Sequence, residues 1–205
     1  DDYCLHLVVQ EKHSGLPVGT YRIHLGPVAS SALGFYSARE YKMDGLEKIA
    51  PQTIEVGRSC VSPEYRNGAV VALLWSGISE ILLRSRLRYL FGCVSLESVD
   101  PATGWALYEY FKSTGKLCEA LRSTPQEKFK LERPPQAQID AISNDKRALV
   151  RSIPPLFKGY LRIGTMVCGE PAFDFEFGTI DFLVLLDLHR LPERYSRHFN
   201  VDTPK

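Results

Sequence analysis

Ile54-Glu55-Val56-Gly57-Arg58-Ser59-Cys60-Val61-Ser62-Pro63-Glu64-Tyr65-Arg66-Asn67-Gly68 is the stretch on which the fold turns. Its first part is strand-like over residues 53–61, and Ser62-Pro63 stops it, because proline donates nothing to a ladder and restricts the residue before it. From residue 69 to residue 87 apolar side chains recur at helical spacing (Val70, Leu73, Leu74, Ile78, Ile81, Leu82), with Gly68 opening the run and Arg84, Arg86 and Arg88 closing it. Residues 89–96 form a continuous apolar run between Arg88 and Glu97, too short for a helix and suited to a strand buried on both faces. Strand, helix and strand in this order predict a parallel βαβ crossover and an α/β fold. A helix start placed straight after a strand presents unpaired N–H groups and partial positive charge, which suits a phosphate. Arg66, Asn67 and Gly68 fit that task, the first as a phosphate partner and the last by letting a ligand approach the backbone.

Outward from this centre, residues 5–9 and 18–25 read as a β-hairpin closed through Lys12-His13-Ser14-Gly15. Residues 26–52 read as a connector with a short amphipathic piece at 46–49. Pro101 suits the first turn of a helix carrying Trp105, Leu107, Tyr108 and Phe111 and ending near Gly115. Pro125 and Pro134-Pro135 mark a loop, residues 136–153 read as one amphipathic helix, and Pro154-Pro155 breaks it. Residues 173–177 and 180–188 are strand-like and predict a pair covering the sheet edge. The polar end carries Arg190, Arg194, Arg197 and His198.

Bulk composition narrows the function. The 205 residues include 25 Lys+Arg against 24 Asp+Glu, a balance that gives no electrostatic footprint for nucleic acid. No apolar run approaches the roughly 20 residues that span a bilayer. Five cysteines without CxxC spacing (Cys4, Cys60, Cys93, Cys118, Cys168) read as buried thiols in a reducing, cytoplasmic compartment. The histidines show no metal-ligand spacing, and no metal is expected. The opening Asp1-Asp2-Tyr3-Cys4 runs directly into an alternating segment, so the chain is read as beginning inside a fold.

The stretch from Glu55 through Val61 to Pro63-Glu64-Tyr65-Arg66 resembles the acyl-CoA-binding motif of GNAT acyltransferases. The resemblance implies an α/β GNAT fold with a mixed sheet, splayed central parallel strands and helices on both faces. It makes residues 1–205 one domain, without the family's N-terminal strand and helices and with 154–205 as an extension on the sheet. Cys60 and Val61 would then contact pantetheine, and Arg66, Asn67, Gly68 and Ala69 would form the pyrophosphate loop. The family loop reads Arg-x-x-Gly-x-Gly/Ala, whereas Arg66-Asn67-Gly68-Ala69-Val70-Val71 is one residue shorter and lacks the second Gly. That difference favours acyl carrier protein over free CoA as thioester donor.

Further blocks resemble the hemolysin-like subgroup, which holds ornithine lipid N-acyltransferases and long-chain N-acyl amino acid synthases. They are Val18-Gly19-Thr20-Tyr21-Arg22, Gly34-Phe35-Tyr36-Ser37, Leu73-Leu74-Trp75, Leu90-Phe91-Gly92-Cys93 and Pro155-Leu156-Phe157-Lys158-Gly159-Tyr160. The activity implied is transfer of a long-chain or 3-hydroxy acyl group to the α-amine of an amino acid such as ornithine. A homoserine lactone synthase and a non-catalytic acyl-pantetheine or lipid-binding module are the alternatives. Glu55 is the candidate base, or else it pairs with Arg58 or Arg22 and shapes the site. Arg58, with Arg22 as rival, would hold the acceptor carboxylate. Tyr110 or Tyr108 would protonate the leaving thiolate, and since they are two apart on a helix only one can serve. Ser59, Cys93 and Lys158 complete the candidate substrate contacts, and Cys60 as an acylated nucleophile lacks a neighbouring His. A long-chain product further implies peripheral contact with the inner membrane surface through the terminal arginines.

Overall fold

The computed structural model describes residues 2–192. Its elements are β1 (Leu5–Gln10), β2 (Pro17–Leu25), α1 (Gly26–Ser31), β3 (Tyr41–Asp44), α2 (Leu46–Ile49), β4 (Thr53–Val61), α3 (Ala69–Ser85), β5 (Tyr89–Leu96), α4 (Pro101–Ser113), β6 (Arg122–Pro125), α5 (Gln136–Ser143), α6 (Lys146–Ser152), α7 (Pro155–Arg162), β7 (Met166–Val167), β8 (Ala172–Asp174) and β9 (Thr179–Asp187). They form two compact units, one from residues 2–35, 49–91 and 187–192 and the other from residues 36–48 and 92–186.

The first unit is built on the order β1-β2-β4-β5. β1 and β2 are the expected hairpin, and β2 pairs antiparallel with β4 from Leu25↔Ile54 to Gly19↔Val61. On the other side of β4 the ladder with β5 is parallel, over Thr53↔Tyr89, Ile54↔Leu90 and Glu55↔Phe91. α3 crosses between these two strands and lies on β1 and β2. It comes so close that a Cβ on Gly19 would collide with Val70 and press on Leu74, and one on Gly77 would meet Leu7. Gly19 shares its face of β2 with the buried Tyr21 and Ile23, so alternation sends Arg22 and His24 to the opposite face.

The second unit carries β5-β9-β7, with β8 paired to β9, and a separate two-stranded sheet of β3 and β6. Its core gathers Phe111 of α4, Phe157 of α7 and Phe182 of β9, whose rings meet at centroid distances of 5.4–6.0 Å. Each buried ring of this kind removes a large apolar area from water.

Several expectations are corrected. Residues 26–52 are no plain connector, since they hold α1, β3 and α2, elements of four to six residues that are too short to show a period. Pro125 ends strand β6 rather than lying in a loop. The single helix expected over 136–153 is two, because Asp145 caps a new start by accepting from the Ala148 N–H at 2.9 Å. β9 is an interior strand between β5 and β7, not an edge cover, and its run of buried residues from Ile180 to Leu186 accounts for that. Among the described cysteines only Cys168 is fully buried, and Cys60 is exposed, because the last residues of β4 rise out of the core.

Candidate active site

The first unit assembles most of the predicted residues. Register in the β2–β4 ladder sets Arg22 opposite Gly57 and His24 opposite Glu55, four positions on one face of two paired strands. Glu55 and His24 are both buried, at 3% and 6% exposure. His24 Nδ1 stands 4.0 Å from Glu55 Oε2, and among the described residues His24 Nε2 has no hydrogen-bond partner. Burial pulls the His24 pKa below its ordinary value, Glu55 opposes that shift, and Arg22 adds to it. The imidazole is therefore neutral at pH 7. The space above Gly57 is open: a Cβ there would find no atom within 4 Å. The patch thus has a floor without a side chain, a guanidinium on one side and a carboxyl–imidazole pair on the other.

Just beyond Gly57 the ladder slips. Thr20 pairs with Cys60 and Arg22 with Gly57, so Tyr21 faces both Arg58 and Ser59, and Arg58 takes a φ of 50°. This is a β-bulge built on a non-glycine residue in the left-handed region, a strained device that re-aims a strand. After it, Arg58, Ser59 and Cys60 are exposed.

The turn into α3 is held by its own side chains. Arg66 Nε donates to the Val61 carbonyl at 3.1 Å, folding the guanidinium back across the turn. Asn67 Oδ1 accepts from the Ala69 N–H at 3.0 Å, and Gly68 takes a φ of 91° as the helix N-cap. The Ala72 N–H bonds to the Gly68 carbonyl, so the N–H groups of Val70 and Val71 precede the helix's own ladder. One early N–H is thereby engaged by Asn67.

The second unit holds the remaining candidates. Tyr110 on α4 is half-buried and sets its ring edge-on to Phe111 at 5.8 Å, while Tyr108 sets its ring against Trp105. Cys93 places Sγ 3.6 Å from Ser37 Oγ and 3.7 Å from Glu40 Oε2. Lys158 Nζ donates to the Arg151 carbonyl at 3.0 Å, at the C-terminal end of α6, where a cation is favoured. Of the terminal arginines expected at a membrane surface, Arg190 ends a short 3-10 turn at Leu188–Arg190, and Arg194 and Arg197 lie outside the described residues. No helix among the described residues is long and apolar enough to cross a membrane.

Sequence reasoning missed His24, Gly57 and Glu40. The first two become visible only through the β2–β4 register; Glu40 sits in a segment that had been read as connector.

Residues 1–76 match the family model described as "Acetyltransferase (GNAT) domain". Over 98% of its length the chain is 35% identical to an L-ornithine N(alpha)-acyltransferase of Brucella abortus and spans 73% of that protein. It is 34% identical to the protein of the same name from Agrobacterium fabrum, over 100% of this chain and 71% of that one. The solved structure of an N-acyl amino acid synthase from uncultured soil microbes covers 90% of the chain and 72% of its own, at 10% identity and a TM-score of 0.47.

Proposed function

The chain belongs to the GNAT-fold acyltransferases related to the L-ornithine N(alpha)-acyltransferases, and from that premise we propose that it moves a long-chain or 3-hydroxy acyl group from a pantetheine thioester to the α-amine of an amino acid such as ornithine. The observation that carries this reading is the patch of Arg22, His24, Glu55 and Gly57. A guanidinium two residues along a strand from a carboxyl–imidazole pair, over an open floor, suits the two ends of an amino acid. Arg22 would hold the carboxylate, and the pair beside it would draw a proton from the ammonium.

The donor belongs at the end of β4. Its ladder with β5 runs from Thr53 to Glu55, and we place the splay of the two strands beyond that point. There the backbone of Cys60 and Val61 would meet the pantetheine amides, and strand N–H groups would stabilise the oxyanion. The α3 start would take the phosphate. With the Ala69 N–H held by Asn67, this loop offers a diphosphate fewer donors, which supports acyl carrier protein as the thioester source. The amine attacks the carbonyl carbon, the C–S bond breaks, and the thiolate leaves with the second proton given up by the amine nitrogen.

The test is an N-acylation assay with long-chain acyl carrier protein and acyl-CoA donors against a panel of amino acids, using the wild type and Gly57→Leu. The expected result is an N-acyl amino acid, with the leucine raising the acceptor KM at least 10-fold and leaving the donor KM unchanged. A lactone product would select the synthase alternative. Thioester binding with no acylated product would select the binding module.

A further inference from the structure

We infer that His24, rather than Glu55 alone, is the proton acceptor of the reaction, and that Glu55 is the positioning residue that orients its ring. The inference rests on the acyl-transfer reading above and assigns a catalytic role to a residue outside the motif.

Its ground is geometric. His24 and Glu55 are register partners on adjacent strands, so their side chains leave the sheet on the same face. The ring turns Nδ1 toward the Glu55 carboxyl at 4.0 Å, which disposes Nδ1 to carry the hydrogen and Nε2 to carry the lone pair. Nε2 is also one of only three buried side-chain polar atoms without a hydrogen-bond partner among the described residues. An unmet buried acceptor costs free energy, so its persistence calls for a reason, and a base waiting for its proton is one. Phe35 lies 6.3 Å from the ring and Phe91 stacks edge-on against Phe35, giving the imidazole an apolar wall. That wall, together with the Arg22 charge, keeps the ring neutral and able to accept. Both groups are buried, so a single bridging water would carry the proton from an acceptor lying over Gly57, and the 4.0 Å gap would tighten once the site is filled.

The acceptor ammonium gives one proton to Nε2, and the resulting imidazolium is stabilised by Glu55. The amine forms the C–N bond, and collapse of the tetrahedral intermediate breaks the C–S bond. The second proton on nitrogen passes to the departing thiolate, and His24 returns its own proton to solvent.

Among the described residues the charged groups that act on the ring are Glu55 from β4 and Arg22 from β2. The wild-type kcat/KM for the acceptor should therefore rise with pH through a midpoint below 6.5, the ordinary His value. Two variants separate the roles. His24→Gln should lower kcat about 100-fold and abolish that limb with the donor KM unchanged. His24→Ala should regain at least 10-fold of its lost kcat on addition of imidazole. A His24→Gln enzyme of wild-type rate and pH profile would overturn the assignment, as would a His24→Ala enzyme that is folded by circular dichroism yet not rescued. If the wild type acylates no amine, the acyl-transfer reading fails instead. The coupling is then read by nuclear magnetic resonance: Glu55→Gln should move the His24 titration midpoint further down, and an unmoved midpoint would end the pairing as well.

Discussion

Arg88 and Asp187 lie 99 residues apart and form a two-pronged ion pair, Nε to Oδ1 at 2.8 Å and Nη2 to Oδ2 at 2.7 Å. The backbone reinforces it, for the Arg88 N–H donates to the Gln52 carbonyl and the Arg88 carbonyl accepts from the Leu188 N–H. One residue thus fastens the entrance of β4, on which Glu55 stands, to the chain leaving β9. Burial alone would raise the Asp187 pKa, but the bonds from Arg88 and the His189 N–H outweigh it and hold the carboxyl below its ordinary value.

Breaking this clamp should therefore cost stability in a pH-dependent way. Asp187→Asn is expected to lose about 1–2 kcal/mol at pH 7, the range for a charge-assisted pair that is partly exposed. A carboxylate with a depressed folded pKa contributes above its unfolded pKa and stops contributing as pH falls through the folded one. The gap between wild type and variant in urea unfolding should accordingly begin to close only as pH falls below 3.8, the ordinary aspartate value. A double-mutant cycle with Arg88→Gln measures the pair itself; a coupling near zero at pH 7 would show that the clamp is carried by the backbone bonds.

The bulge at Arg58 allows strand geometry and side-chain chemistry to be separated. Its φ of 50° suits glycine far better than arginine. Arg58→Gly should raise stability by about 0.5–1 kcal/mol, whereas Arg58→Ala keeps the strained backbone and should gain nothing. The same variants rank the two guanidiniums. Arg22 shares its face with His24 and Glu55, while Arg58 is exposed at the slip in the ladder, so Arg22→Gln should raise the acceptor KM more than Arg58→Gly does. The reverse order would give the carboxylate to Arg58.

These two residues also show where sequence reading reaches and where it stops. Thr53–Val61, α3 and β5 were legible because Pro63, the helical period from Val70 to Leu82 and the apolar run after Arg88 are local signals. Arg66 and Gly68 stood out for the same reason, sitting at the helix start just after the proline turn, whereas Glu55 was marked by the resemblance to the GNAT motif. The bulge was hidden, since nothing about an arginine in a strand announces a left-handed φ. The His24–Glu55 juxtaposition depends on pairing between strands 31 positions apart, and a one-residue slip would have sent His24 to the α3 face. Asp145 was legible in principle as a cap, but the amphipathic pattern continuing across it masked the break.

Glu40 supplies a prediction of opposite sign to that for Asp187. It is 8% exposed, its Oε1 has no hydrogen-bond partner among the described residues, and Tyr41 beside it donates from its hydroxyl to the Asp181 carbonyl. Burial, then the charge of Asp181, push its pKa from 4.5 up to about 8, against a weaker pull from Cys93. A carboxyl raised in the folded state binds more protons there than in the unfolded chain over that interval, so its ionisation works against folding as pH climbs. Wild-type stability should decline between about pH 5 and pH 8 on this account, on the order of 3 kcal/mol before other groups are counted. Glu40→Gln removes the ionisation and keeps the shape, so it should be the more stable protein at pH 8 by about 1–3 kcal/mol, with the difference shrinking toward pH 5. Urea unfolding at the two pH values decides it. A variant less stable than wild type at pH 8 would mean that Glu40 is ionised and paired in solution, and that the carboxylate contributes to the fold.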